Sequence, residues 1–434
     1  MKTNLPVIYC LLSIALMQGV AWGIERFAPP DFESGHQLPQ PTTPEPRESV
    51  LEYLDVVVLF LALVLASYLV LKRRSRKLIF VLMIFSIVYF GFWRKGCICP
   101  IGAIQNAVFT VFDADYAASI TVVLFLLLPL AFTLFFGRVF CAGVCPLGAI
   151  QDFFLLKPTS VPPWLESALR LLAYAYLGLA VLFAATGCAF VICRYDPFIG
   201  FFRMSATLNM LIVGACFLLV GIFVGRPYCR FFCPYGIILR LISRISRWRV
   251  TITPDECIKC RLCQDACPFG AIEEPTAEWA GQDYDKGKKI LAIALGILPV
   301  LILLGGWGVS RTAGKMSRMH PTVKLADRIY LEESGQAKDT TDTSAAFRGT
   351  GRSVEELYAE TVSIQSAMRR GSWILGGFLG LVIGLKLIMH CVRRPRTEYE
   401  AEKGQCLACG RCFEYCPRER LRLAKLREDT VSKG

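Results

Sequence analysis

The chain has 434 residues, 54% of them hydrophobic and 19% charged, with a mean hydropathy of +0.47. Soluble domains carry nearer a quarter charged residues, so an ordinary soluble fold is excluded. The net charge of +13 calls for no nucleic acid, because the basic residues cluster beside apolar runs as the positive-inside rule expects.

Residues 1–23 carry a lysine, an apolar run and a small-residue end, which reads as a secretory signal peptide. Residues 24–50 are rich in proline and polar side chains and read as an exported linker. Seven apolar runs follow, at 51–71, 78–93, 117–136, 169–187, 204–224, 290–309 and 372–389. Each approaches the ~20 residues that a helix needs to cross a bilayer. The basic run "KRRSRK" at 72–77 puts the loop after the first span in the cytoplasm. Parity then places the segments near 97 and 188 outside. Those near 141 and 229, the segment 236–288 and the C-terminus fall inside. Within the spans ionisable residues are few: Glu52 and Asp55 near one end of the first, and Lys386 in the last. A proton or ion pump displays buried carboxylates at mid-membrane, so the pattern favours carrying electrons.

The nineteen cysteines are mostly in short, metal-type spacings. The three histidines, His36, His320 and His390, offer no paired ligands for a membrane haem. "GRVFCAGVCPLGAI" (137–150) and "GRPYCRFFCPYGII" (225–238) repeat one pattern, G-R-x-[FY]-C-x-x-x-C-P-x-G. Two such loops side by side would gather Cys141, Cys145, Cys229 and Cys233, the four thiolates that one [4Fe–4S] cluster requires. Arg138 and Arg226 would offset its negative charge. On the outer side, "GCICPIGAIQN" (96–106) and "GCAFVICRYDPFIGFF" (187–202) repeat a looser pattern. There Cys97, Cys99, Cys188 and Cys193 are candidates for a second membrane cluster, with a disulfide as the alternative on an oxidising face. Cys216 and Cys391 are single and read as structural.

"CIKCRLCQDACP" (257–268) and "CLACGRCFEYCP" (406–417) both match C-x2-C-x2-C-x3-C-P, the run of bacterial ferredoxins. Zinc ribbons separate their two cysteine knuckles by a longer gap, which disfavours zinc. In two-cluster ferredoxins the fourth cysteine serves the other cluster. The expected sets are therefore Cys257, Cys260, Cys263 with Cys416, and Cys406, Cys409, Cys412 with Cys267. The loop 310–370 between the last two spans is expected to hold a helix near 322–333. Another is expected to start at a capping box, Ser353 with Glu356, and the polar stretch 339–347 reads as a loop. No dinucleotide fingerprint, phosphate loop or nucleophile–base arrangement is present, and no catalytic residue is assigned.

The paired "CAGVCP" and "CRFFCP" loops followed by "CIKCRLCQDACP" resemble the polytopic iron–sulfur membrane proteins of the NosR/NirI and NapH type. The resemblance covers roughly residues 50–272 and the C-terminal ferredoxin run. It implies electron transfer in a bacterial respiratory system, at the cytoplasmic membrane, serving an exported redox enzyme. It departs from the NosR type in having only a short segment where an exported flavin domain would lie.

The expected fold class is an all-α polytopic bundle of six to seven spans with an internal two-fold repeat, carrying a small α+β dicluster ferredoxin-like module. Its regions are the repeated membrane part (51–250), the first ferredoxin motif (251–285), a span pair with an exported loop (286–395) and the second motif (396–434). The expected function is an electron relay between cytoplasmic-side clusters and a redox partner. Quinone and an exported flavoprotein are the partner classes left open. The alternative is a redox-sensing or maturation factor for an exported enzyme.

Overall fold

The computed structural model describes residues 48–96, 100–114, 116–252, 257–276, 284–337, 339–391 and 396–431. The signal peptide, nearly all of the exported linker, and Cys97 and Cys99 lie outside them.

Helix α1 (Ser49–Tyr68) widens into a π-helical turn to Arg73, and α2 (Arg76–Ser86) does the same to Trp93. Asp55 of α1 meets Arg94 at 2.7 Å and Tyr89 Oη at 2.8 Å, so this in-span carboxylate is neutralised locally. Short α3 (Pro100–Phe112) precedes α4 (Ile120–Phe136), and a π-helical turn (Phe140–Val144) leads to α5 (Pro146–Phe153). Then come α6 (Pro163–Ala185), α7 (Val191–Tyr195), α8 (Pro197–Arg203), α9 (Leu208–Gly221), α10 (Pro227–Phe231) and α11 (Pro234–Ser243). Helices α3, α5, α8 and α11 each begin on a proline. That residue lacks the N–H a first helical turn leaves unpaired and already holds the required φ.

Among the described residues five helices are long and apolar enough to cross a membrane, and a bent pair raises the number to six. They are α1 and α2 with their extensions, α6, α13 (Tyr284–Ser310) and α17 (Val354–Cys391). The run expected to span at 204–224 is helical only over α9, which meets α8 at a 115° bend. Met204 adopts a left-handed conformation there (φ 55°), and that ends α8. Likewise α4, expected from 117 to 136, has 17 residues. Hydropathy reports how apolar a run is and is blind to a bend inside it.

Between α13 and α17 lie α14 (Ala313–Ser317), α15 (Pro321–Glu333) and α16 (Asp342–Gly349). The expected helix near 322–333 is α15. The stretch 339–347, expected as a loop, is helical from Asp342: Thr341 Oγ1 accepts from Ser344 N while Ser344 Oγ accepts from Thr341 N. That reciprocal cap satisfies two N–H groups, and Phe347 is buried with Ala326, Ile329 and Leu357. Ser353 caps the start of α17, with Glu356 N donating to Ser353 Oγ at 3.2 Å. Helices α13 and α17 touch backbone to backbone: a Cβ at Gly376 would overlap the Gly305 carbonyl, and one at Gly380 the Leu301 carbonyl. Small residues at such crossings let membrane helices gain packing that lipid cannot supply.

The main core joins α1 (Leu59, Leu63) and α2 (Ile79, Met83) to the cysteine loops (Val139, Val144, Leu147, Tyr235). α12 (Leu262–Asp265) lies within the first ferredoxin run and β1 (Ile272–Glu273) follows it. Strand β2 (Glu400–Ala401) precedes the second, α18 (Arg411–Tyr415) lies within it and α19 (Pro417–Val431) continues from its last proline. β1 pairs antiparallel with β2, Ile272 opposite Ala401 and Glu273 opposite Glu400. This small sheet clamps together two motifs that lie far apart in the chain.

Candidate functional site

The two ferredoxin runs fold alike. Lys259 and Arg261 in the first, and Ala408 and Gly410 in the second, all take positive φ (51°, 65°, 53° and 76°). These are matching positions, two and four residues past the first cysteine. A left-handed residue costs a non-glycine side chain about 1 kcal/mol or more, and such cost concentrates where a loop must wrap a ligand. The wrap turns backbone N–H groups inward, and Ala408 N donates to Cys406 Sγ at 3.4 Å.

Two cysteine sets result. Cys257, Cys260, Cys263 and Cys416 line one pocket with Ile252 and Tyr399. Cys406, Cys409, Cys412 and Cys267 line another with Phe269 and Leu407. Each pocket thus takes three cysteines from one run and the last cysteine of the other, the exchange the motif leads one to expect. Burial pushes the Cys263 thiol up to about 11, and Cys416, Cys257 and Cys260 add to the rise. Burial likewise pushes Cys406 up to about 12, with Cys409 and Cys267 adding. Four thiolates so placed need a cation among them. Among the described residues no three His, Cys, Asp or Glu side chains converge on a point suited to one metal ion. A cubane holds its cysteine sulfurs farther apart than a single ion does, so the donor sets fit an iron–sulfur cluster better than zinc.

The membrane loops form a third set. Cys229 and Cys233 line a pocket with Arg138, Arg230 and Arg240. Burial raises the Cys233 thiol, and Cys229, Cys145 and Cys141 raise it further, so the two loops bring all four thiols within electrostatic reach. Donors surround the sulfurs: Gln151 Nε2 lies 3.3 Å from Cys229 Sγ, Gly236 N 3.3 Å from Cys233 Sγ, and Arg138 Nη2 3.7 Å from Cys141 Sγ. Each loop also reaches into the other. Arg226 donates to the carbonyls of Cys141 and Ala142, while Arg138 lies against Gly236.

Asp152 locks the third set to the second. It pairs with Arg226 (3.3 Å), with Arg76, and with Arg411 of the second ferredoxin run (3.7 Å). Burial alone would raise its carboxyl, but Arg226, Arg76 and Arg411 together hold it down at about 2. Arg76 also donates to the Cys409 carbonyl at 3.2 Å. Cys141 packs against the cluster of Phe269, Leu407 and Cys409, and Cys412 is close enough to Cys263 to feel its charge. The three sets are therefore consecutive, from the first ferredoxin pocket to the membrane loops.

The outer cysteines are arranged differently. Cys193 sits against α3, where a Cβ at Gly102 would lie 3.4 Å from its Sγ. Cys188 belongs to a separate apolar cluster with Leu182, Phe183, Ala313, Met368 and Leu375. At the position before the helix-starting proline, where the inner loops have Cys145 and Cys233, this loop has Asp196. Its Oδ1 caps α8 by accepting from Phe198 N and Ile199 N, each at 3.0 Å, and its Oδ2 accepts from Tyr228 Oη. Gln105, Gln151 and Asp152 escaped the sequence reading, although "CPIGAIQN" (99–106) and "CPLGAIQD" (145–152) carry them in register.

Comparison with known proteins follows the same geometry. A 4Fe–4S binding domain model matches residues 118–159 and 206–253, which hold the two membrane loops, and a second one matches 250–273. An uncharacterized protein of Methanocaldococcus jannaschii, MJ0750, is 30% identical over 210 residues, covering 46% of this chain and 82% of that one. The regulatory protein NosR of Stutzerimonas stutzeri is 28% identical over 206 residues, 44% of this chain and 28% of NosR. NirI of Paracoccus denitrificans is 28% identical over 153 residues, 32% of this chain and 22% of NirI. The chain belongs to the NosR/NirI-type membrane ferredoxin family. No solved structure matches it. Membership makes it a multi-pass membrane iron–sulfur protein of a redox family, and its matched stretch lies in the region where the third cysteine set is assembled.

Proposed function

We propose that this protein is an electron conduit whose three described cysteine sets each hold a [4Fe–4S] cluster. Cys257, Cys260, Cys263 and Cys416 would hold the first. Cys406, Cys409, Cys412 and Cys267 would hold the second, and Cys141, Cys145, Cys229 and Cys233 the third. When bound, such a cluster supplies reversible one-electron chemistry. The observation that carries the reading is the contiguity of the sets: Cys412 adjoins Cys263, and Cys141 packs on the shell around Cys409.

The protein's own residues do the rest. Arg138 and Arg226 set positive charge against the sulfurs of the third set, favouring the extra electron of a reduced state. Asp152 keeps Arg226 charged and in place, and so fixes the spacing between the second and third sets. Phe269 and Leu407 fill the gap between those sets and exclude water. On the topology read from the basic loops, the ferredoxin module faces the cytoplasm of a bacterial inner membrane. The outer loop at Cys193, with Cys97, Cys99 and Cys188 as further candidates, would then lead toward a quinone or an exported flavoprotein.

Anaerobic purification with iron and sulfide quantitation tests this reading. Three cubanes give about twelve irons per chain, and an outer one raises that to about sixteen. Fewer than about eight would reject it. NosR is named a regulatory protein, which favours a second reading as a redox sensor. Complete reduction and reoxidation at respiratory rates in membrane vesicles is expected of the conduit, whereas slow, partial cycling belongs to the sensor.

A further inference from the structure

Gln105 and Gln151 occupy the same place in "CPIGAIQN" and "CPLGAIQD", and both are fully buried. Gln151 Oε1 accepts from Tyr228 N at 3.0 Å, the residue before Cys229, and Gln151 Nε2 donates to the Leu147 carbonyl at 2.7 Å and to Cys229 Sγ at 3.3 Å. Gln105 Oε1 accepts from Ile192 N at 2.9 Å, the residue before Cys193. In each amide the backbone N–H fixes which end is oxygen, so the NH2 group of Gln105 points away from Ile192 N. That Nε2 has no hydrogen-bond partner among the described residues, and a buried donor left so costs about 1–3 kcal/mol. Gly102, one turn earlier on the same face of α3, is the residue that lies against Cys193 Sγ.

We infer that Gln105 and Gln151 are equivalent positioning residues, each holding a cysteine of the partner loop by its backbone and donating to that cysteine's sulfur as a metal-bound thiolate. Gln151 acts on the membrane-loop centre through Cys229, and Gln105 acts on a distinct outer centre through Cys193. A thiol needs no such donor, but a thiolate bound to iron does, and it accepts more strongly as the cluster gains an electron. Hydrogen bonds to the sulfurs therefore raise the reduction potential. The inference rests on the proposed function in taking the loops as cluster sites, and it goes beyond it in assigning the two amides and a metallated Cys193.

The test is a redox titration of the anaerobically purified full chain followed by electron paramagnetic resonance, with iron quantitation in parallel. Gln151→Leu and Gln105→Leu are each expected to lower the midpoint potential of one centre, a different one in each variant, with the two ferredoxin signals unmoved. Gln→Glu variants retain the acceptor oxygen for Tyr228 N or Ile192 N but set a carboxylate against the sulfur. They are expected to lower the same midpoints, and they carry the test where a leucine variant does not fold. Full iron with unmoved midpoints overturns the inference and leaves the conduit standing. A Gln105 variant that moves nothing while Gln151 moves a centre overturns the outer half. Wild-type iron sufficient for the ferredoxin pair alone overturns the cluster reading of the loops, and the inference with it.

Discussion

Around Cys145 and Cys233 the chain buries two arginines and an aspartate among four thiols, whereas around Cys193 it buries a glutamine and a carboxylate already engaged by Tyr228. Both regions use one local device, a residue capping a helix that starts on proline. Cys233 Sγ accepts from Gly236 N at the start of α11, and Asp196 Oδ1 accepts from Phe198 N and Ile199 N at the start of α8. A side-chain acceptor at that position satisfies helix N–H groups whether it is sulfur or oxygen. The comparison shows one backbone device at both loops, with a sulfur acceptor at one and a carboxylate at the other. At the second inner loop the capping residue, Cys233, also belongs to the cysteine set, and at the outer loop Asp196 ties α8 to that inner loop through Tyr228.

The most drastic way to break the contrast is to remove a capping sulfur. Cys233→Ser retains a hydroxyl cap and is expected to lose one centre, about four irons per chain, while Asp196→Asn loses none. Equal iron loss in the two variants would mean that Asp196 sits in a metal site. Next in size is Asp152→Ala. It strands a buried Arg226, and breaking a buried pair costs about 3–5 kcal/mol, read as a lowered unfolding midpoint in detergent and detachment of the ferredoxin module. Acid probes the same carboxylate. Its folded pKa of about 2 lies below the ordinary carboxylate value of 3.8, so its contribution, about 2 kcal/mol, is complete above pH 4. It disappears as the pH falls from about 4 through 2, and in Asp152→Asn that acid-dependent loss is expected to vanish.

Asp196→Ala tests the outer side. It deletes a helix cap, worth about 1 kcal/mol, and leaves the buried Tyr228 hydroxyl unsatisfied, at about 1–3 kcal/mol more. The expected signature is lower stability of the whole membrane part without loss of iron, since Tyr228 precedes Cys229 but is not itself a ligand. Loss of the inner centre in this variant would contradict the separation of the two regions.

These residues also mark how far the sequence could be read. The grouping of the cysteines was legible because side chains that must meet at one place keep a fixed spacing, and Cys267 and Cys416 each line the pocket of the other run. Asp152, Gln105 and Gln151 were not, because one polar residue in a short amphipathic helix looks the same from outside whether it faces water or a buried sulfur. Register between "CPIGAIQN" and "CPLGAIQD" was the usable cue, and it pairs an outer loop with an inner one, across the grouping that cysteine spacing suggests. The α8–α9 bend was hidden for another reason: it turns on Met204 at φ 55°, a conformation that hydropathy does not register. Residues 342–347 read as a loop because threonine and aspartate are poor helix formers, yet the Thr341–Ser344 cap and burial of Phe347 outweigh that propensity.

The finest discrimination between the regions lies at their equivalent glycines, Gly102 and Gly148. A Cβ at Gly102 meets only Cys193 Sγ, at 3.4 Å, an ordinary contact. Helix propensity then dominates, and Gly102→Ala is expected to stabilise by about 0.5–1 kcal/mol. A Cβ at Gly148 would lie 3.1 Å from Arg226 Nη1. That guanidinium is held by Asp152 and by the carbonyls of Cys141 and Ala142, so it has nowhere to withdraw without breaking a buried pair. Gly148→Ala is therefore expected to destabilise by about 1 kcal/mol or more, the overpacking cost exceeding the propensity gain. Opposite signs for two alanines at matching positions, measured as unfolding midpoints of the detergent-solubilised protein, would place the rigid charged frame at the inner loops alone. Matching signs would mean that Arg226 is free to move, and that the loops differ in ligands but not in stiffness.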